Sequence, residues 1–272
     1  MVGAGRPVDT PVDHDYVTVD LVDATATRRV FSDVTPAWVF HLAAEASVAR
    51  SWDAPQETIR NNVEATLSVL DAASDSRVLL AGSGEIYGRP QALPVTEDHG
   101  LSPENPYATS KAAADMLGRF YGRDVIRTRA FNHFGPGQTD QYVVAAFARQ
   151  IAEGERRGDT ALVVKTGELG ARRDFTDVRD VVRAYALLLE HAEAGAYNVC
   201  SAVSRSAADI LAALAKESPL EITSDVGPAR LRSNEIMDVR GSHDKLSGAT
   251  GWQPETPFET TIRDTLDWWR AR

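Results

Sequence analysis

Tyr107 and Lys111 lie four residues apart in the segment Pro106-Tyr107-Ala108-Thr109-Ser110-Lys111. On a helix that spacing puts both side chains on one face, one turn apart. A phenol beside an ammonium is a tuned proton donor, because the positive charge favours the phenolate. Upstream stands Ser83-Gly84-Glu85-Ile86-Tyr87-Gly88, where the Ser83 hydroxyl can hold a carbonyl oxygen. Together the three groups make the proton-handling half of a carbonyl/alcohol redox site. The other half is expected to be a nicotinamide, and the loop that would bind its pyrophosphate is missing.

The elements that must position these residues follow a pattern. Tyr16 to Leu21 reads as a short strand and Thr25 to Asp33 as a helix. Ala37 to Ala44 is a continuous apolar run, the mark of a parallel strand buried on both faces. A helix from about Pro55 to Ala73 follows, then a buried strand over Arg77 to Gly82. The Tyr107 helix runs to about Tyr121, and Asp124 to Ala130 is the next strand. Alternating strands and helices specify an α/β fold with a parallel, doubly wound Rossmann-like sheet. Beyond Phe131 the expected pieces are a loop over Asn132 to Gln138 and helices over Tyr142–Glu155, Asp177–Glu190, Asp209–Glu217 and Pro257–Trp269. Two units are expected: residues 1–132 with about 176–200 as a dinucleotide-binding domain, and about 133–175 with 201–272 as a smaller α/β substrate domain.

Such a sheet ordinarily begins with a strand, a Gly-rich turn and a helix, the glycines letting the backbone approach a pyrophosphate. The chain opens Met1-Val2-Gly3-Ala4-Gly5-Arg6-Pro7. Gly3 and Gly5 imitate part of that turn, but Pro7 follows and no helix pattern begins, so the opening reads as a loop. By the length of one βαβ unit, about 30 residues are absent. In the usual strand order the first strand lies mid-sheet, beside the strand at Val39. Its removal exposes an apolar edge whose unpaired backbone groups each cost about 1–3 kcal/mol, against a domain's margin of about 5–15 kcal/mol. The chain is therefore expected to be a fragment or to start upstream.

Composition excludes several classes. A net charge of −10 argues against a nucleic-acid surface. The six histidines are scattered, so no metal site is expected. No run approaches a membrane helix, and no secretory leader opens the chain. The single Cys200 reads as a buried strand thiol, and a reducing cytoplasm is the expected location.

With the motifs placed, the chain resembles the extended short-chain dehydrogenases, the sugar-nucleotide epimerases, dehydratases and reductases. The resemblance rests on Asp20-Leu21, His41-Leu42-Ala43-Ala44, Asn61-Asn62, Ser83 to Gly88, Tyr107 to Lys111, Phe131-Asn132 and Arg172 to Val178. It implies that Tyr107 protonates a 4-keto oxygen, that Lys111 lowers its pKa and holds the nicotinamide ribose, and that Ser83 bonds the same oxygen. It implies NAD or NADP as cofactor, with Asp20 on the adenine, Leu21 beside it, and Leu42, Ala43, Ala44 and Asn61 along the cofactor wall. Asn132, Arg173 and Arg232 would hold the diphosphate of a nucleotide sugar. Glu85 stands where related dehydratases carry a base.

The implied reaction is reduction of a GDP-linked 4-keto-6-deoxy hexose by a homodimeric enzyme. A 4,6-dehydratase, a 4-epimerase and an inactive nucleotide-sugar-binding protein are the alternatives. The resemblance also places the choice between NADH and NADPH at the end of a second strand, outside this sequence.

Overall fold

The structure, a computed structural model, describes residues 1–7, 13–121, 124–227 and 236–272. Its centre is a four-stranded parallel sheet in the order β3–β4–β5–β9. These strands are β3 (Trp38–His41), β4 (Arg77–Ser83), β5 (Val125–Ala130) and β9 (Gly195–Val199). In β4 the run Val78-Leu79-Leu80 sends alternate side chains to opposite faces. Leu79 joins Ile126 under Val181, Ala184 and Leu188 of helix α6 (Val178–His191). Val78 and Leu80 pack with Val125 against Leu70 of α3 (Pro55–Ala72). Helix α4 (Pro106–Phe120) lies beside α3 on that second face. The doubly wound parallel sheet expected from the sequence is thus present.

A second core lies around Phe134, Ile151, Ile210, Leu214, Ile262 and Leu266. It is enclosed by α5 (Val143–Arg157), α7 (Ala207–Lys216) and α9 (Phe258–Arg270). Beside it run the strands β6 (Asn132–Phe134), β7 (Ala161–Thr166), β8 (Arg172–Asp177), β10 (Ser204–Ser206), β11 (Glu221–Val226) and β12 (Asp238–Val239). The segment Asn132 to Gln138, expected as a loop, opens as β6 and pairs in parallel with β8, because Phe134 is drawn into this core. Buried Asp174 of β8 ties the two cores together. It accepts from the backbone N–H and hydroxyl of Ser201, beyond β9, and from the N–H of Gly241.

Two expectations about the first 44 residues fail. Val2–Gly5 is not a loop but a strand, β1, parallel to β2 (Asp15–Thr18), with Gly5 opposite Thr18. Its backbone pairing does not need the apolar side chains whose absence suggested a loop. And the run from Ala37 to Ala44 is not buried on both faces. Val39 packs on the α3 side and His41 is buried, while Trp38 and Phe40, pointing the other way, are 50% and 43% exposed. The cause is that among the described residues no strand pairs with the outer edge of β3 and no helix covers its Trp38–Phe40 face.

Among the described residues β1 and β2 form a two-stranded parallel sheet of their own, whereas β3, β4, β5 and β9 are consecutive neighbours.

Candidate active site

Three elements converge on one spot at the carboxyl end of β4. Gly82 is required just before Ser83, because a Cβ there would lie 2.2 Å from the carbonyl oxygen of Thr128 on β5. Ser83 ends the strand, buried, and its Oγ accepts from the Glu85 N–H at 3.2 Å to cap the short 3₁₀ turn Gly84–Tyr87. Gly88 closes the turn at φ +63°, where a Cβ would strike the Ser102 carbonyl.

Helix α4 starts with an Asn105 cap, whose side chain accepts from the Ala108 N–H at 2.7 Å, and Pro106 pre-sets the first turn. Tyr107 therefore sits in the first turn, partly buried, with its hydroxyl near enough to Ser83 for that side chain to influence its pKa. Lys111 lies one turn on, buried, donating to the Ala81 carbonyl at 2.9 Å. The structure thus brings Ser83, Tyr107 and Lys111 together.

The electrostatics differ from the expectation in one respect. Burial pushes the Tyr107 phenol up to about 12; the Ser83 bond pulls it down, and the nearby Glu85 carboxylate pushes it further up. Burial also brings Lys111 down to about 8. The phenol is thus held protonated, as a proton donor must be. Glu85 is exposed and accepts from the Asn105 side chain at 3.4 Å.

Behind the triad α4 is fastened on both sides. Asn62, buried on α3, donates to Ser110 Oγ at 2.8 Å and to the Glu45 carbonyl at 3.1 Å, and accepts from the Glu45 N–H. This is the position the sequence reading missed. It chose Asn61, whose side chain is only partly buried, whereas Asn62 faces α4. The i, i+4 relation of Asn62 to the buried Thr66 could have separated the two asparagines. On the opposite side Asp115 binds Arg127 at 2.9 Å and Arg129 at 3.0 and 3.1 Å. Arg129 continues to Tyr87 at 2.9 Å, and Tyr87 donates to Asn198 at 2.7 Å. His41 borders the same cavity as Ala43, Ala44, Asn62 and Lys111; burial and the Lys111 charge bring it down to about 4.

A nicotinamide dinucleotide fits the residues present at both its ends. An ammonium has three donors, and only one of those on Lys111 is spent on Ala81. Ala43 and Ala44 are small enough for close approach beside it. Leu42, their neighbour in sequence, is exposed. Asp20 and Leu21 lie just past β2, with the Asp20 carboxylate accepting from Val22 N–H at 3.2 Å. A Gly-rich pyrophosphate turn is not among the described residues.

On the substrate side Asn132 is exposed at the start of β6. Arg173 is on the adjoining β8, donating to the carbonyls of Arg172 and Ile236 at 2.9 and 2.7 Å. Arg232 lies outside the described residues. No group of His, Cys, Asp and Glu suited to a metal occurs among the described residues, and none of their helices is long and apolar enough to cross a membrane.

A doubly wound sheet carrying a Ser/Tyr/Lys triad at the end of a central strand defines a short-chain dehydrogenase type of site. The GDP-mannose 4,6 dehydratase family model matches residues 6–265, and the chain belongs to that family. It is 38% identical over 273 residues to the GDP-6-deoxy-D-mannose reductase of Pseudomonas aeruginosa, covering 96% of this chain and 88% of that one. The solved structure of RMD from Pseudomonas aeruginosa complexed with NADPH superposes with a TM-score of 0.83 at 36% identity, over 94% of this chain and 89% of that one. UDP-glucose 4-epimerase from Thermus thermophilus in complex with NAD gives a TM-score of 0.85 at 30% identity, over 96% and 86% of the two chains.

Proposed function

We propose that the protein is an NAD(P)-dependent reductase of a nucleotide-linked keto sugar, with a GDP-linked 4-keto-6-deoxy hexose as substrate. The observation that carries this reading is the convergence of Ser83 and Tyr107 beside buried Lys111 at the end of β4. The bound cofactor supplies a hydride to the carbonyl carbon. Tyr107 delivers the proton to the oxygen, Ser83 bonds that oxygen, and Lys111 holds the ribose and restores charge balance at the phenol. The similarity to a GDP-6-deoxy-D-mannose reductase supports the GDP sugar.

Residues 1–132 with 176–200 take the cofactor in this reading. Residues 133–175 and 201–272 hold the nucleotide sugar, with Asn132, Arg173 and Arg232 toward its diphosphate. A homodimer is part of the reading: Ile59 of α3 and Met116 and Phe120 of α4 are exposed apolar side chains on two helices that pack together. So is a cytoplasmic location, in keeping with one free, buried thiol.

A second reading, a dehydratase, draws on Glu85, whose charge is felt by Tyr107 as a base beside the acid would be. Incubation with GDP-4-keto-6-deoxy-mannose and NADPH or NADH decides. The reductase consumes one reduced cofactor per sugar. A preparation that converts GDP-mannose with no net loss of reduced cofactor supports the dehydratase.

A further inference from the structure

We infer that His41 is a positioning residue of the site: its Nδ1 and the Lys111 ammonium share one ordered water in the cavity behind the triad, and that water holds the ammonium in place. The inference rests on the role proposed for Lys111 and adds the group that supports it from behind.

The cavity lies between the central sheet and its helices. His41 of β3, Arg127 of β5, Asn62 and Thr66 of α3, and Lys111 and Asp115 of α4 border it. Its volume is about 20 Å³. A water needs roughly 10–15 Å³ and two to four polar partners, so the space admits one.

The hydrogen bonds decide which groups remain to hold it. Asn62 spends both amide hydrogens, on the Glu45 carbonyl and Ser110 Oγ, and its oxygen accepts from the Glu45 N–H. Asp115 is bound by Arg127 and Arg129. The Thr128 hydroxyl donates to the Leu80 carbonyl. The Thr66 hydroxyl gives its one hydrogen to the Asn62 carbonyl at 2.7 Å. Thr66 Oγ1 also lies 3.2 Å from His41 Nε2, so in that contact the imidazole must donate. The hydrogen of the neutral ring therefore sits on Nε2, and Nδ1 carries the lone pair. Among the described residues Nδ1 has no partner.

Lys111 is the complement. One of its three donors goes to the Ala81 carbonyl, and the reading above gives a second to the ribose. The third suits a water whose own hydrogen goes to His41 Nδ1. The two groups are close enough for the Lys111 charge to lower the His41 pKa, and with burial it keeps the ring neutral, as an acceptor must be.

An acceptor for the ammonium favours its charged form, against the burial that brings Lys111 down to about 8. Without that acceptor the Lys111 pKa falls further, and the positive charge beside the phenol is lost at lower pH. The other ionisable side chains at the cavity, Asp115 and Arg127, are paired with each other, and α3 brings only the uncharged Asn62 and Thr66. Tyr107 stands one turn before Lys111 on α4.

Two substitutions separate the two ring nitrogens. His41→Gln reaches the place of Nε2 and still donates to Thr66, but offers no acceptor at Nδ1. His41→Asn sets its carbonyl oxygen near the place of Nδ1 and loses the Thr66 bond. In the pH profile of kcat for keto-sugar reduction, His41→Gln is expected to move the basic limb down by about one pH unit, as for one hydrogen bond to a charged group. The KM for the sugar should stay unchanged, and His41→Asn should recover most of the shift. A normal limb in His41→Gln, or equal shifts in the two variants, assigns His41 to packing and the Thr66 bond and overturns the inference. A second readout needs no turnover: nitrogen-15 NMR of histidine-labelled protein should show the His41 ring as the Nε2–H tautomer with Nδ1 accepting a hydrogen bond. An Nδ1–H tautomer overturns the inference whatever the activity. The expected tautomer in a protein that reduces no keto sugar sinks the proposed function and leaves the water site standing.

Discussion

The two sides of the parallel sheet's central strands are built to different standards. Around α4 the buried polar side chains Asn62, Lys111 and Asp115 are each tied. Asn62 holds it to α3, Lys111 to the Ala81 carbonyl, and Asp115 to two arginines of β5. Across β3 the picture reverses. Trp38, Phe40 and Leu42 are exposed, and among the described residues β1 and β2 form a separate pair joined to the rest by no ladder. The proton donor is thus held in a rigid frame, while the segment proposed for the cofactor's adenosine end belongs to a two-stranded outlier. Proton transfer requires placement within hydrogen-bond reach, and the fold spends its buried charges there.

The largest expected effect lies at the triad. Tyr107→Phe should lower kcat by about 10²- to 10⁴-fold while leaving the melting curve unchanged, checked by steady-state kinetics beside thermal denaturation. Loss of stability comparable to the loss of rate would mean that the phenol is structural.

Next comes the anchor behind it. Asp115→Asn leaves Arg127 and Arg129 without their buried counter-charge and should cost about 3–5 kcal/mol in urea unfolding. A change within about 0.5 kcal/mol would dissolve the contrast between a tied and an open side.

The third effect is pH-dependent. His41 titrates near 4 in the fold against an ordinary 6.5. Its folded pKa is the lower one, so the unfolded chain takes up the proton first. The stability it contributes is full above 6.5 and is lost as pH falls toward 4, about 3 kcal/mol in all. Chemical denaturation of His41→Gln across that window should show a correspondingly flatter slope.

Smallest is the open face. Phe40→Ser should shift stability by no more than about 0.5 kcal/mol, as at an exposed site, whereas Leu79→Ala on the covered neighbouring strand should cost about 2–5 kcal/mol. Equal costs, measured side by side in urea, would show that Phe40 is covered in solution.

The legible parts of the molecule were those whose pattern is local. The Ser83 motif, the Tyr107–Lys111 spacing and the strands at Val78 and Ile126 are each set by a few adjacent residues, and the structure has them where the sequence placed them. What could not be read depended on partners distant in sequence. Val2-Gly3-Ala4-Gly5 is short and half glycine, and its ladder with β2 makes it a strand. Trp38 and Phe40 look like core by type, yet burial needs a neighbour that no described element supplies. Asn61 and Asn62 are the same residue type, and the helix rotation that turns one of them toward Ser110 is fixed by packing. The Asp115–Arg127–Arg129 cluster, being made of charges, reads as surface until β5 and α4 are laid together.

The most direct test is to supply NADPH carrying deuterium at the transferable C4 position together with GDP-4-keto-6-deoxy-mannose, and to follow the label by mass spectrometry. The account predicts deuterium on the sugar's C4 at one atom per oxidised cofactor, in the wild type and far more slowly in Tyr107→Phe. Product that forms without the label, or label transfer at an undiminished rate in Tyr107→Phe, contradicts it.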